Sequence, residues 1–389
     1  MDLQGARGVV GQGHGKRNLM ISRRRLIQAG AAAASCAAIG AGARASSRII
    51  SGAIRWDAWY DSEHRAAVEA SLGPKAWRFR APWFSRIVSP SAISIDGNRQ
   101  SIIDAEIDFA SGAGLKYWAY VWYGPNDGMQ NAWRLHQASS IKDKMNWCLL
   151  WQFTDLGDPS IFAGNIPTYV GYFQQSNYQK TPGGRPLVYL FIDSPLARAK
   201  AWGDDWANVQ TALDGLRLAC TTAGLKNPYI VVMCGAASTA ANIKTQLSAD
   251  AISNYIGLVP RGTPATYDQL DLSVRGYWAA QAATGSPIVP IVMMGWDVRP
   301  RKQHPPPWEP GAVPGAGVSS YVQPGTVAQR VDHLRAAVNY VNDNPAICPS
   351  TALLIYSWNE CDEGGSELCP SLGDPPPSAI LAAIKPVLS

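Results

Sequence analysis

Glu360 and Glu363 stand three positions apart in Asn359-Glu360-Cys361-Asp362-Glu363-Gly364-Gly365, directly after the apolar and aromatic run 353–358. Two carboxyl groups held close together push their pKa values apart, leaving one a proton donor and the other a base. Cleavage of a glycosidic bond needs that division of labour. A solvated acidic loop capping a helix is the plainer alternative. The pair follows a run suited to a buried strand and precedes two glycines that turn the backbone, which favours a site.

Such a pair must be positioned by regular elements. Apolar strand candidates at 53–60, 116–124, 145–152, 185–193, 229–235, 251–259, 288–297 and 351–360 alternate with longer helical patterns such as 101–113, 132–142, 205–223, 237–247 and 327–342. Strand–helix alternation repeated eight times predicts an α/β fold, a single (β/α)8 TIM barrel. Residues 46–389 suit one such domain in length. An open doubly wound sheet is the competitor, but no Gly-rich phosphate loop follows the first strand.

In a barrel, the carboxyl ends of the strands form the active-site face. The first strand ends in Asp57, Trp59 and Tyr60, the second in Trp122 and Tyr123, the third in Trp151, the fourth in Asp193. The seventh supplies Trp296, Asp297, Arg299 and Arg301, and the eighth supplies Trp358 and Asn359 beside the glutamates. Indole faces pack on the C–H patches of sugars, while Asp, Asn and Arg grip hydroxyls, so all of these are candidate substrate contacts. Asp297 and Arg301 could equally form an ion pair closing their turn. Trp118 and Trp147 lie deeper in their strands and read as core. Of Trp122, Trp151, Trp296 and Trp308, about half are expected to line a groove. Trp308 sits in the Pro-rich segment 300–324, either a stiff lid over the site or an Ω-loop without a role.

The first 45 residues read as an address. Ser22-Arg23-Arg24-Arg25-Leu26-Ile27 has the form of a twin-arginine signal, an Ala/Gly-rich run follows, and Ala43-Arg44-Ala45 offers a cleavage site. Cys36 lacks the Leu of a lipobox, leaving lipid anchoring as the alternative. The run is too short and Ala-rich to span a bilayer, so no stable membrane insertion is expected after cleavage. The predicted destination is the periplasm or the medium. Without this leader the chain keeps 27 basic and 28 acidic residues, and the case for a nucleic-acid partner disappears.

Other chemistries find little support. No C-x-x-C pair exists, so no metal is expected, and no cofactor is implied. Cys361 and Cys369 bracket the Glu363 loop and could join in an oxidising compartment. No Gly-x-Ser-x-Gly elbow occurs, and His64, His136, His304 and His333 read as surface or capping residues, against a serine hydrolase.

Two motifs carry a family resemblance. Gly295-Trp296-Asp297-Val298-Arg299-Pro300-Arg301 resembles the Trp-Asp-x-x-Pro-Arg signature of WbsX-like proteins. Asn359-Glu360-Cys361-Asp362-Glu363-Gly364 resembles the Asn-Glu-x-x-Glu-Gly motif that these share with the endo-α-mannosidase group of glycoside hydrolases, family 99. The resemblance spans roughly residues 50–388 and implies a metal-independent (β/α)8 glycosidase. It further implies Glu360 as the base assisting the sugar 2-hydroxyl, Glu363 as the general acid, and net retention. The chain departs from the pattern at Cys361, where an aromatic is usual, and in its first strand. The expected function is an exported glycoside hydrolase acting on a carbohydrate. A glycosyltransferase of polysaccharide synthesis and a non-catalytic sugar-binding barrel are the alternatives.

Overall fold

The structure, a computed structural model, describes residues 49–389 apart from 258, 261–263, 310–311 and 365–366. The signal-peptide expectation for residues 1–45 lies outside the described residues. Among the described residues, ten strands form from short runs rich in β-branched and aromatic residues. They are β1 (Ile50–Arg55), β2 (Arg86–Ser89), β3 (Ala92–Ser94), β4 (Tyr117–Trp122) and β5 (Asn146–Gln152). The chain continues with β6 (Leu187–Phe191), β7 (Tyr229–Met233), β8 (Ala251–Ser253), β9 (Ile291–Met293) and β10 (Ala352–Tyr356).

Eight of these pair in parallel in the order β8-β7-β6-β5-β4-β1-β10-β9. A parallel bridge between Ile252 and Ile288 joins the two ends of the sheet. There Ile252 N donates to Pro287 O at 2.9 Å and Val289 N to Ile252 O at 3.0 Å. This is the expected (β/α)8 barrel. Its seventh strand, expected over 288–297, starts only at Ile291, because Pro287 and Pro290 bring no N–H to a ladder, and ends at Met293. The first and eighth strands also stop early, at Arg55 and Tyr356, and their polar exits are turns.

Helices fill the connections. Thr266 and Thr326 each close a capping box with the Gln three positions on, starting the helices Tyr267–Ala282 and Val327–Asp343. Asp158 and Asp205 cap Pro159–Phe173 and Trp206–Thr222. The antiparallel β2–β3 hairpin, between the helices Ser62–Leu72 and Gln100–Gly112, was not legible as a strand pair.

Successive side chains of a strand point to opposite faces. In this barrel one face is the interior and the other meets the helices. Tyr117 points inward, where its hydroxyl lies 2.6 Å from that of Tyr189. Gly52 makes room for it, since a Cβ there would fall 2.1 Å from the Tyr117 ring. Trp118, Tyr120 and Trp122 alternate outward onto helix residues such as His136, Trp133 and Tyr172. Among the described residues, no helix is long and apolar enough to cross a membrane.

Candidate active site

The two glutamates share one turn of backbone. Glu363 N and Gly364 N both donate to Glu360 O, at 3.1 and 2.8 Å. Residues three apart in such a turn lie on one side, so both carboxyls reach the same place. Glycine follows without crowding: a Cβ on Gly364 would fall 2.5 Å from Glu367 Oε1 and 3.2 Å from Tyr356, so a larger residue would displace the end of the Glu367 side chain. Glu360 N is held by Ser357 Oγ at 3.1 Å, and Asp297 N by Glu363 O at 3.0 Å.

Glu360 is only 3% exposed. Tyr255 donates its hydroxyl to Glu360 Oε1. The Tyr356 hydroxyl lies 3.0 Å from Glu360 Oε2 and 3.1 Å from Glu363 Oε2, bridging the pair. The two carboxyls also hydrogen-bond to each other. Burial, and then the neighbouring Glu363 charge, hold the Glu360 carboxyl well above the ordinary range. For Glu363, burial works in the same direction but is overcome by the Arg301 guanidinium, 3.1 Å away, so its carboxyl stays below the ordinary range. In the resting site the shared proton therefore belongs to Glu360. Arg301 is itself gripped by Asp362, at 3.0 and 3.2 Å, and lies over the Trp56 ring at 5.4 Å.

The pair faces a cavity of about 1130 Å³ at the carboxyl ends of the strands. One end of its wall is aromatic: Trp56, Trp308 and His64, with the His64 and Trp308 rings 4.9 Å apart. Beyond Glu360 the wall continues through Tyr255 and Phe191, stacked at 4.7 Å, to Gln152, Asp155 and Asp193. Thr154 N donates to Asp193 Oδ1 at 3.1 Å, fixing that carboxylate at the polar end. Among the described residues, no group of three or more His, Cys, Asp or Glu could hold a metal ion.

Of the residues singled out in the sequence, Tyr123, Asp193, Trp296, Arg301, Trp308, Glu360 and Glu363 line this cavity. The rest stand elsewhere, and each for a physical reason. Trp122 and Trp151 occupy the outward parity of their strands, packed on Trp133 and Tyr172 and on Phe162 and Tyr169. Asp57 also faces the helices, bound by Arg55 Nε at 2.7 Å. Trp59 is buried against Phe84, and Tyr60 donates to Glu106 at 2.7 Å, because the first strand gives way to a 3-10 turn after Asp57. Trp358 turns outward to the same Glu106, and Asn359 is occupied by Trp56 N at 2.8 Å and Asp57 at 2.9 Å. Asp297 is buried under Arg80 and Arg299, which satisfy its carboxylate; Arg299 in turn lies over the Tyr321 ring.

Several cavity residues went unread. Trp56 and Gln152 occupy the inward parity, one step from residues that were chosen, and Phe191 shares that parity two positions before Asp193; Tyr255 follows a strand that ends early at Ser253. His64 is partly exposed and also lines the cavity, with Nδ1 2.6 Å from Asp61. His136 and His333 are buried, and burial pushes His136 down to about 4. Cys361 and Cys369 are both free buried thiols, not a disulfide.

The raised Glu360 carboxyl has a measurable consequence. Folded protein keeps a proton there that the unfolded chain releases near the ordinary value of 4.5. The associated stability is complete below that pH and is lost on the alkaline side at about 1.4 kcal/mol per pH unit until the folded group ionises. Asp57, raised by burial to about 7, adds a loss of the same sign. Glu360→Gln, neutral at every pH, is expected to flatten part of the fall in Tm between about pH 5 and 8. Parallel curves for variant and wild type would show that Glu360 ionises normally.

Comparison with solved structures places this fold. The chain is similar to the GH99 endo-alpha-mannosidase of Bacteroides thetaiotaomicron in complex with BIS-TRIS-propane, with a TM-score of 0.55 and 15% identity over 87% of this chain and 95% of that one. A second structure of the GH99 endo-alpha-mannosidase from that organism matches at a TM-score of 0.52, with the same identity and coverage. No protein-family model and no curated protein matches the chain. The fold is thus a GH99-like (β/α)8 barrel.

Proposed function

We propose that this protein is a retaining glycoside hydrolase in which Glu360 and Glu363 carry the reaction. The observation behind this reading is the pair itself: two hydrogen-bonded carboxyls of opposite pKa displacement, facing a wide cavity with an aromatic end and a polar end. Carboxyls in mutual hydrogen bond are closer than the about 6.5–9.5 Å that an inverting pair leaves for its water. That favours retention. Tyr255 and Tyr356, kept protonated chiefly by burial, remain donors to the pair.

In this reading Glu363 protonates the leaving oxygen and Glu360 draws the proton from the sugar 2-hydroxyl, as the WbsX-like and endo-α-mannosidase resemblance implies. The resting proton lies on the other partner, so substrate must move it. A sugar hydroxyl donating to Glu360 stabilises its carboxylate, and the hydrogen bond between the carboxyls is the path along which the proton passes to Glu363. The substrate is a carbohydrate, with Trp56, Trp296 and Trp308 offering ring faces and Asp193 a hydroxyl acceptor. The leader-like residues 1–45 support action outside the cytoplasm.

Release of reducing sugar from a panel of bacterial and plant polysaccharides tests the proposal. At least one glycan should be cut by wild type and spared by Glu363→Gln. Equal activity in both would remove the pair from the chemistry.

A further inference from the structure

Behind the strand exits, on the helix side of the barrel wall, lies a charged cluster outside the cavity lining. Arg55, Asp57 and Glu106 are each 2% exposed or less. Arg55 donates from Nη2 to Glu106 Oε2 at 2.5 Å and from Nε to Asp57 Oδ1 at 2.7 Å. Well-packed apolar side chains are often no less stabilising than such buried charges, so the cluster calls for another role. Its remaining bonds supply one. Glu106 also accepts from Tyr60 Oη at 2.7 Å and from Trp358 Nε1 at 3.3 Å. Asp57 accepts from Asn359 Nδ2 at 2.9 Å, and Asn359 Oδ1 accepts from Trp56 N at 2.8 Å. Trp358 and Asn359 are the two residues before Glu360, and Trp56 lines the cavity beneath Arg301.

We propose that Glu106 is a positioning residue for Glu360. Through Trp358, and with Arg55, Asp57 and Asn359 as a second tether, it fixes the peptide from which Glu360 projects between Tyr255 and Tyr356. This rests on the reading of the glutamates as the reacting pair. Without the tether the exit turn shifts, Glu360 meets water, and its carboxyl returns toward ordinary acidity.

Glu106→Gln keeps the shape of the side chain and one acceptor oxygen while removing the charge. The readout is the infrared C=O band of a protonated carboxyl, assigned to Glu360 by its loss in Glu360→Gln and followed through a pH titration. In Glu106→Gln the midpoint is expected to fall by at least about one pH unit, with circular dichroism unchanged. A lower Tm with an unmoved midpoint would mean that Glu106 only stabilises the barrel, overturning the proposal. Absence of the band in wild type would overturn it too. If Glu106→Gln does not fold, Trp358→Phe decides: it takes the indole N–H from Glu106 while leaving Arg55 and Tyr60 bound to it, and should move the midpoint the same way, whereas an unmoved midpoint refutes the tether. No sugar enters these measurements. Failure to cut any glycan would count against the glycosidase reading and leave the midpoint result standing.

Discussion

Glu363→Gln is expected to lower kcat on an unactivated glycoside by about two to four orders of magnitude, the usual contribution of a general acid. The barrel should survive the change. Arg301 loses one partner but keeps the two-point grip of Asp362, so no unpaired buried charge is created. The loss should shrink for a substrate whose leaving group is already a stable anion, such as a glycosyl fluoride, because that group needs little protonation. Glu360→Gln should be damaged on both substrates, since its task is to activate the nucleophile. Recovery by Glu360→Gln on the fluoride, with none by Glu363→Gln, would reverse the two roles. It would match the resting distribution of the proton, which sits on Glu360.

The carboxylate turn and the strand exits were unequally legible in the sequence. The turn carrying the glutamates was readable because its chemistry is local: an apolar strand, four polar residues and glycines, all within a dozen positions. The strand exits were not, because a barrel strand is buried on both faces and shows no polar–apolar alternation. Without alternation, nothing in Trp118-Ala119-Tyr120-Val121-Trp122-Tyr123 says which aromatic faces the cavity. Choosing both Trp122 and Tyr123 captured one cavity residue and one core residue. Gly52 held a usable hint. A glycine inside a strand marks a close approach, here of Tyr117, and fixes the inward parity that leads on to Trp56.

Burial explains the other misplacements. Asp57, Asp297, Arg299 and Asn359 are polar residues at the correct end of the barrel and were candidate substrate contacts on that ground, with an ion pair closing the turn as the equal alternative for Asp297. Their partners are Arg55, Arg80 and Trp56 N, contributed by the first strand and the turn at Arg78–Arg80. The pairings of Arg80 with Asp297 and of Trp56 with Asn359 join segments 217 and 303 positions apart, beyond the reach of motif reading. Glu106 is the extreme case. It lies in the middle of a helix with ordinary amphipathic spacing, yet it is fully buried and bound to Arg55, Tyr60 and Trp358.

The sharpest test of mechanism is the sugar 2-hydroxyl. In the proposed first step Glu360 takes the proton of O2, O2 attacks C1, and the bond from C1 to the leaving oxygen breaks while that oxygen takes the Glu363 proton. A 1,2-anhydro sugar results. Water then opens it at C1, losing a proton to Glu363 as O2 regains one from Glu360, and the anomeric configuration is retained overall. A 2-deoxy analogue lacks the nucleophile. It should bind, because the aromatic and polar walls are unchanged, yet turn over slower than the parent by at least the about 10²–10⁴-fold assigned to a single catalytic group. Efficient cleavage of the 2-deoxy analogue would eliminate O2 as nucleophile. Direct attack by a carboxylate would then release a first product of retained configuration, and attack by water an inverted one, as nuclear magnetic resonance of the nascent sugar would show. The closeness of the two carboxyls, 3.0 and 3.1 Å from the one Tyr356 hydroxyl, favours the first outcome, since an inverting pair stands about 6.5–9.5 Å apart.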